Sequence, residues 1–233
     1  MIDNKTRCLI ITANHDADID NPIAASVEIS SNDYIVCADG GYIYAKKEGI
    51  VPDIVLGDFD SSSLEEINAA GIPTETFEVE KDDTDTMLCI KHAMSKGFED
   101  IVIVGGIGGS FGHSMANIQA LSFLTDMECE ASIETTKEKI VMLDGETVKI
   151  IPGPLSAQKP PSEIELKGHP GQKFSIFSYA ERTTGVCEEN SKYLLDNAVL
   201  TQSFPIGARN EFMNDDPVKI KVQFGRLLII VEK

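Results

Sequence analysis

A chain of 233 residues, 42% hydrophobic and 25% charged, can bury one large core or two modest ones, and its composition is that of an ordinary globular protein. The net charge of −18 removes the basic stripe that a nucleic-acid backbone requires, so nucleic acid is not an expected partner. No apolar run approaches the ~20 residues of a membrane helix, Met1-Ile2-Asp3-Asn4-Lys5 does not read as a signal peptide, and five scattered cysteines, Cys8, Cys37, Cys89, Cys129 and Cys187, read as reduced thiols of a cytoplasmic protein.

The acidity is uneven. Residues 1–130 carry 24 Asp and Glu against 7 Lys and Arg, whereas residues 131–233 carry 14 against 13. Much of the excess reads as a solvated surface. If the acidic half binds an anionic nucleotide, so few basic residues imply a divalent cation between carboxylates and phosphates.

In chain order, Arg7–Ala13 is a short apolar run suited to a buried strand, followed by a polar loop from Asn14 to Asn21. Tyr34–Ala38 is the next strand, and a short helix from Gly41 to Glu48 is closed by Gly49. Asp53–Leu56 follows as a strand. Ser62 with Glu65 has the spacing of a capping box for a helix that stops at Gly71. A strand over Thr74–Val79, a helix over Thr84–Lys96 ended by Gly97, and the strand Ile101–Val104 come next. A glycine-rich loop then leads into a helix over His113–Thr125, with Met115, Ile118, Leu121 and Leu124 near helical spacing. Strands alternating with helices predict a doubly wound, mostly parallel α/β sheet.

Beyond residue 130 the pattern changes. Ile140–Leu143, Asp144-Gly145 and Thr147–Ile151 predict a hairpin. Strand-like runs follow at Glu163–Leu166, Lys173–Tyr179, Ala198–Ser203, Val218–Phe224 and Leu227–Val231, with no helix among them. The expectation is an α/β domain over 1–130 followed by an all-β sandwich domain over 131–233, the boundary lying within 126–138.

Four groups carry chemistry. Asp58 and Asp60, two apart on an extended segment, can present both carboxylates to one hard cation, or one can cap the following helix while the other is solvated. Asp39, followed by Gly40-Gly41, marks a close ligand approach or a tight strand-to-helix turn. In Lys81-Asp82-Asp83-Thr84-Asp85, Asp82 or Thr84 can cap a helix; alternatively Asp85 stands beside a metal with Thr84 or Lys81 near phosphate. Gly105-Gly106-Ile107-Gly108-Gly109 between a strand and a helix exposes backbone N–H groups to anions, but the stretch fits neither the dinucleotide fingerprint nor the P-loop. His113 at the helix start reads as a cap or core residue rather than a metal ligand.

In this order, Ala38-Asp39-Gly40-Gly41, Pro52-Asp53 leading to Gly57-Asp58-Phe59-Asp60-Ser61, Lys81–Asp85 and Gly105–Asn117 resemble the thiamine pyrophosphokinase family, and Lys192–Ala198, Phe204–Gly207 and Asn210–Phe212 match as well. The resemblance implies an α/β catalytic domain with a thiamine-binding and dimerisation β-sandwich, paired as a homodimer, and transfer of a pyrophosphoryl group from ATP to thiamine with release of AMP. By similarity, Asp58, Asp60 and Asp85 hold Mg²⁺ on the ATP phosphates and Asp39 completes the acidic pocket. Gly40, Gly41, Lys81, Thr84, Gly106, Gly108, Gly109 and His113 belong to the nucleotide side, and Thr184, in a turn with Gly185, and Asn210 stand near the vitamin. The sequence departs from the family at Ser110, Gly112 and Arg209 and in the extra residues Val186–Ser191, expected at the substrate rim or dimer contact. Two rival readings are a binding protein of the same fold with reduced turnover and a Mg-dependent phosphatase using Asp58 as nucleophile.

Overall fold

The computed structural model describes residues 5–13, 15, 18–60, 63–77, 83–145 and 161–233. The chain divides into two compact units between Lys137 and Glu138.

In the first unit, β1 (Arg7–Ile11), β2 (Asp33–Ala38), β3 (Ile54–Gly57), β4 (Thr74–Thr76), β5 (Asp100–Val104) and β6 (Glu130–Glu134) form a parallel sheet in the order β6-β5-β1-β2-β3-β4. β2 is buried along its whole length and β1 and β5 nearly so, which is why they read in sequence as unbroken apolar runs. The helices are α1 (Pro22–Ser26), α2 (Gly41–Lys47), α3 (Leu64–Ala69), α4 (Asp85–Ser95) and α5 (Phe111–Asp126). Ile23 of α1, Tyr42 and Ala45 of α2 and Ile67 of α3 close one core with Leu9, Ile11, Ile35, Cys37, Val55, Val102 and Val104 of the strands. The chain lays β2, β3 and β4 to one side of β1 and then returns to lay β5 on the other. The carboxyl ends of β1 and β5 therefore flank a topological switch point, where open parallel sheets bind ligands.

In the second unit, β7 (Glu138–Asp144), β14 (Arg226–Glu232), β9 (Lys173–Ser178) and β12 (Asn210–Glu211) pair antiparallel in that order. β8 (Ser162–Leu166), β13 (Val218–Val222), β10 (Arg182–Glu189) and β11 (Leu195–Thr201) make a second antiparallel sheet. Alternating residues of both, including Phe174, Ile176, Val186, Leu200, Val218, Ile220, Leu227 and Ile229, form one buried core, so the unit is a β-sandwich. It has no helix among the described residues.

Several local expectations are corrected. The cap of α3 lies one residue later than the Ser62–Glu65 spacing suggests: Ser63 Oγ accepts from Glu66 N at 3.3 Å. α1 and β6 were not anticipated, and β6 pairs parallel with β5 in the α/β unit. Thr184-Gly185 is not a turn. It is a bulge inside β10, where the register with β11 shifts between Thr184 and Val186 and Gly185 takes φ 67°. Val186–Glu189 continue that strand, and Val186 is in the core. The second strand of the hairpin expected at Thr147–Ile151 lies outside the described residues.

Candidate active site

The site grows from the carboxyl ends of β2 and β3. Asp39 follows β2 in a left-handed backbone conformation (φ 35°), its N–H donating to Leu56 O at 2.7 Å and its carbonyl accepting from Tyr42 N at 3.0 Å. Beside it, β3 ends at Gly57, and a Cβ there would lie 2.6 Å from the Asp39 Cβ. The turn beyond is folded back by Asp58 Oδ1, which accepts from Asp60 N at 3.2 Å, with Phe59 at φ 60°. One carboxylate oxygen from each of Asp39, Asp58 and Asp60 thereby comes within 4.8 Å of the others, Asp39 buried at 4% exposure, Asp58 half-buried and Asp60 exposed. Of the metal ligands expected by similarity, Asp58 and Asp60 meet in this group and Asp85 is not a member; Asp39 stands there with them.

Asp85 opens α4. Thr84 is its cap, Oγ1 accepting from Met87 N at 3.2 Å, and a carboxylate in the first turn faces the positive end of the helix. Asp39, Gly40, Asp60, Thr84, Asp85 and His113 line one cavity of about 340 Å³, which also takes Thr12, Ala13, Ala38, Thr86, Ala116 and Asn117. Gly41 packs behind it, with room for no side chain, since a Cβ would lie 2.1 Å from Ile11 O. Among the residues of this wall, Thr12 and Ala13 end the first apolar run, the signal by which they could have been found. Thr86 and Ala116 carry no such signal, and Asn117 closes the last of the α/β stretches that resemble the family without having been given a role.

Gly106, Gly108 and Gly109 are not on the cavity wall. Gly106 is buried and its carbonyl accepts from Asn117 Nδ2 at 2.8 Å, while Gly108 N donates to Ser114 Oγ at 3.0 Å. Ser110 caps α5 by position without a side-chain bond, and Gly112 is exposed. Lys81 lies outside the described residues.

The two residues expected near the vitamin are in the second unit. Thr184 lines a groove with Gly185, Cys187, Asn197 and Lys221. Asn210 is buried: Nδ2 donates to Glu188, to Ser191 Oγ at 3.2 Å and to Tyr193 O at 2.8 Å, and Oδ1 accepts from Tyr193 N and Glu211 N. Glu188, one of the extra residues, is 2% exposed, and burial pushes its carboxyl up to about 7 against the two hydrogen bonds it accepts. Arg209 is exposed, takes φ 57° and lies 3.8 Å from Glu232.

The thiamin pyrophosphokinase catalytic-domain model matches residues 26–133. A thiamine pyrophosphokinase of Bacillus subtilis is 25% identical over 180 residues, 76% of this chain and 77% of that protein. Among solved structures, a thiamine pyrophosphokinase from Bacillus subtilis superposes with a TM-score of 0.77 at 20% identity, covering 97% of this chain and 99% of that one. The yeast thiamin pyrophosphokinase gives 0.71 at 14% identity over 98% and 86%. These structural likenesses establish the fold, and the family-model match spans Asp39, Asp58, Asp60 and Asp85. Residues 26–133 are therefore similar to the catalytic domain of the thiamine pyrophosphokinase family.

Proposed function

We propose that this protein transfers the terminal pyrophosphoryl group of ATP to the hydroxyl of thiamine, releasing AMP and thiamine diphosphate. The observation that carries the reading is the convergence of Asp39, Asp58 and Asp60 beside a cavity that Asp85 also lines. Oxygens on one small hard cation lie roughly 3 Å apart, so three carboxylates already within 4.8 Å reach that geometry by rotamer adjustment. Mg²⁺ is the proposed ion, held by Asp58 and Asp60 with Asp39 and Asp85. When bound it supplies charge neutralisation for the phosphates, the main requirement of phosphoryl-type transfer. The chain's own groups then position the reactants. Asp58 or Asp85 accepts the proton of the attacking hydroxyl. The acidic walls favour the cationic thiazolium ring. Gly40, Gly41, Thr84 and His113 take the nucleotide, with Lys81 and the Gly106–Gly109 loop assigned to the same side.

The second unit, with Thr184 and Asn210, is proposed to bind thiamine and to pair two copies as a homodimer. A reducing cytoplasm is consistent with five cysteines that form no disulfide.

Incubation with ATP, Mg²⁺ and thiamine tests the reading. AMP and thiamine diphosphate in equal amounts are expected, and Asp60→Asn should abolish them while leaving circular dichroism unchanged. Inorganic phosphate alone would make the protein a phosphatase, and binding without products a sensor of the same fold.

A further inference from the structure

We propose that Asn117 is a substrate-binding residue, its Oδ1 accepting a hydrogen bond from an N–H or O–H in the non-phosphate part of a substrate. Asn117 lies on α5 one turn beyond His113, and with Ala116 these residues form the helix's face on the cavity. It is 5% exposed, yet it lines that cavity. Its amide is held from behind. Nδ2 donates to Gly106 O at 2.8 Å, and because a carbonyl only accepts, the bond fixes which end of the amide points back. Gly106 stands at φ +84°, where a Cβ would lie 3.1 Å from Nδ2, so no side chain comes between the amide and its anchor.

Oδ1 is then the end left for the cavity, and no hydrogen bond to it from another described residue accompanies that of Nδ2. Oδ1 is open to the cavity rather than sealed in the wall, so a substrate donor can take the place of water there. Asp39, Asp60 and Asp85 on the surrounding walls add only further acceptors, which disfavour a phosphate oxygen at this point and favour a hydroxyl or amine. Ser114, three residues earlier on α5, holds Gly108 N in the same way that Asn117 holds Gly106 O, which keeps the loop behind Asn117 in one conformation. A ribose hydroxyl, the adenine amine and the thiamine aminopyrimidine all supply the required donor, and only the choice of these probes rests on the pyrophosphokinase reading.

Calorimetric titration compares Mg-ATP with its analogues lacking the 2′-hydroxyl, the 3′-hydroxyl or the 6-amino group, and thiamine with oxythiamine, whose pyrimidine amine is replaced by a carbonyl. Wild type is expected to bind one of these analogues about tenfold or more weakly than its parent. Asn117→Ala is expected to bind that parent and analogue alike. If the alanine variant does not fold, Asn117→Ser is read in its stead. Equal binding of every analogue by wild type, or an unchanged ratio in the folded alanine or serine variant, overturns the proposal. Release of AMP by wild type decides the pyrophosphokinase reading separately: a protein that discriminates without turnover keeps this inference and loses that one.

Discussion

A methyl group at position 57 would lie 2.6 Å from the Asp39 Cβ and 3.3 Å from its carboxyl carbon. Gly57 is therefore selected by its neighbour at the end of β2, since Ala38 and Leu56 are paired in register and Asp39 and Gly57 are the residues that follow them. Gly57→Ala should push the Asp39 carboxylate out of the group it forms with Asp58 and Asp60. We expect turnover to fall by about a hundredfold, as a displacement near 1 Å at a reacting centre can do, with a smaller loss of stability of about 1–3 kcal/mol from overpacking. Steady-state kinetics and thermal melting of the variant check both parts. Unchanged turnover would mean that the Asp39 position is not what this close approach protects.

Between elements, Glu188 ties β10 to β12 through Asn210 and to the following corner through Ser191. Its carboxyl holds a proton to about pH 7 in the folded chain, against 4.5 for the exposed group. The folded state thus binds more protons than the unfolded one between these values. Its contribution to stability is undiminished below the unfolded pKa and is lost as pH rises through the folded one. Glu188→Gln keeps the shape and an acceptor but cannot ionise. Its melting temperature should match wild type near pH 4 and exceed it near pH 8 by roughly 4 °C. Parallel pH dependences for the two proteins would contradict the assignment.

The same elements explain what could be read in advance. β1, β2 and β5 are buried on both faces and so appear as apolar runs that need no context. α1 has five residues, too few to show a helical period, and β6 opens on exposed Glu130 with only its last three residues buried. Gly185 inside β10 carries the usual sign of a turn, and only the pairing with β11 reveals a bulge. In the site, Asp39 and Asp58 were legible because glycines adjoin them, and Asp60 by its two-residue spacing from Asp58. That Asp39 rather than Asp85 meets Asp58 and Asp60 depends on β2 lying beside β3, which no local spacing encodes. Asn117 was hidden for the same reason, since its anchor, Gly106, belongs to another element.

Over the whole molecule, a net charge of −18 falls mostly on the first unit. The described ion pairs there, Arg7–Asp33, Lys46–Glu66, Lys91–Asp83 and Lys5–Asp53, use cations that are far fewer than the acids. Self-repulsion of this kind is screened by salt. The melting temperature should rise as NaCl is raised from about 20 mM to about 0.5 M, where the Debye length falls below roughly 10 Å. A flat response would place the excess acids too far apart to matter.

The three convergent carboxylates have a further consequence at this scale. Folding forces Asp39, Asp58 and Asp60 together and sets Asp39 at positive φ, whereas the unfolded chain does neither. A divalent ion that binds only the assembled group is therefore a folding ligand as well as a reactant's companion, and at a hundredfold excess over its dissociation constant it adds about 2.7 kcal/mol to the folded state. Chelator should lower the melting temperature even with no nucleotide present, by more than NaCl can restore. The supply of free divalent cation would then govern how long the protein lasts, independently of how fast it works.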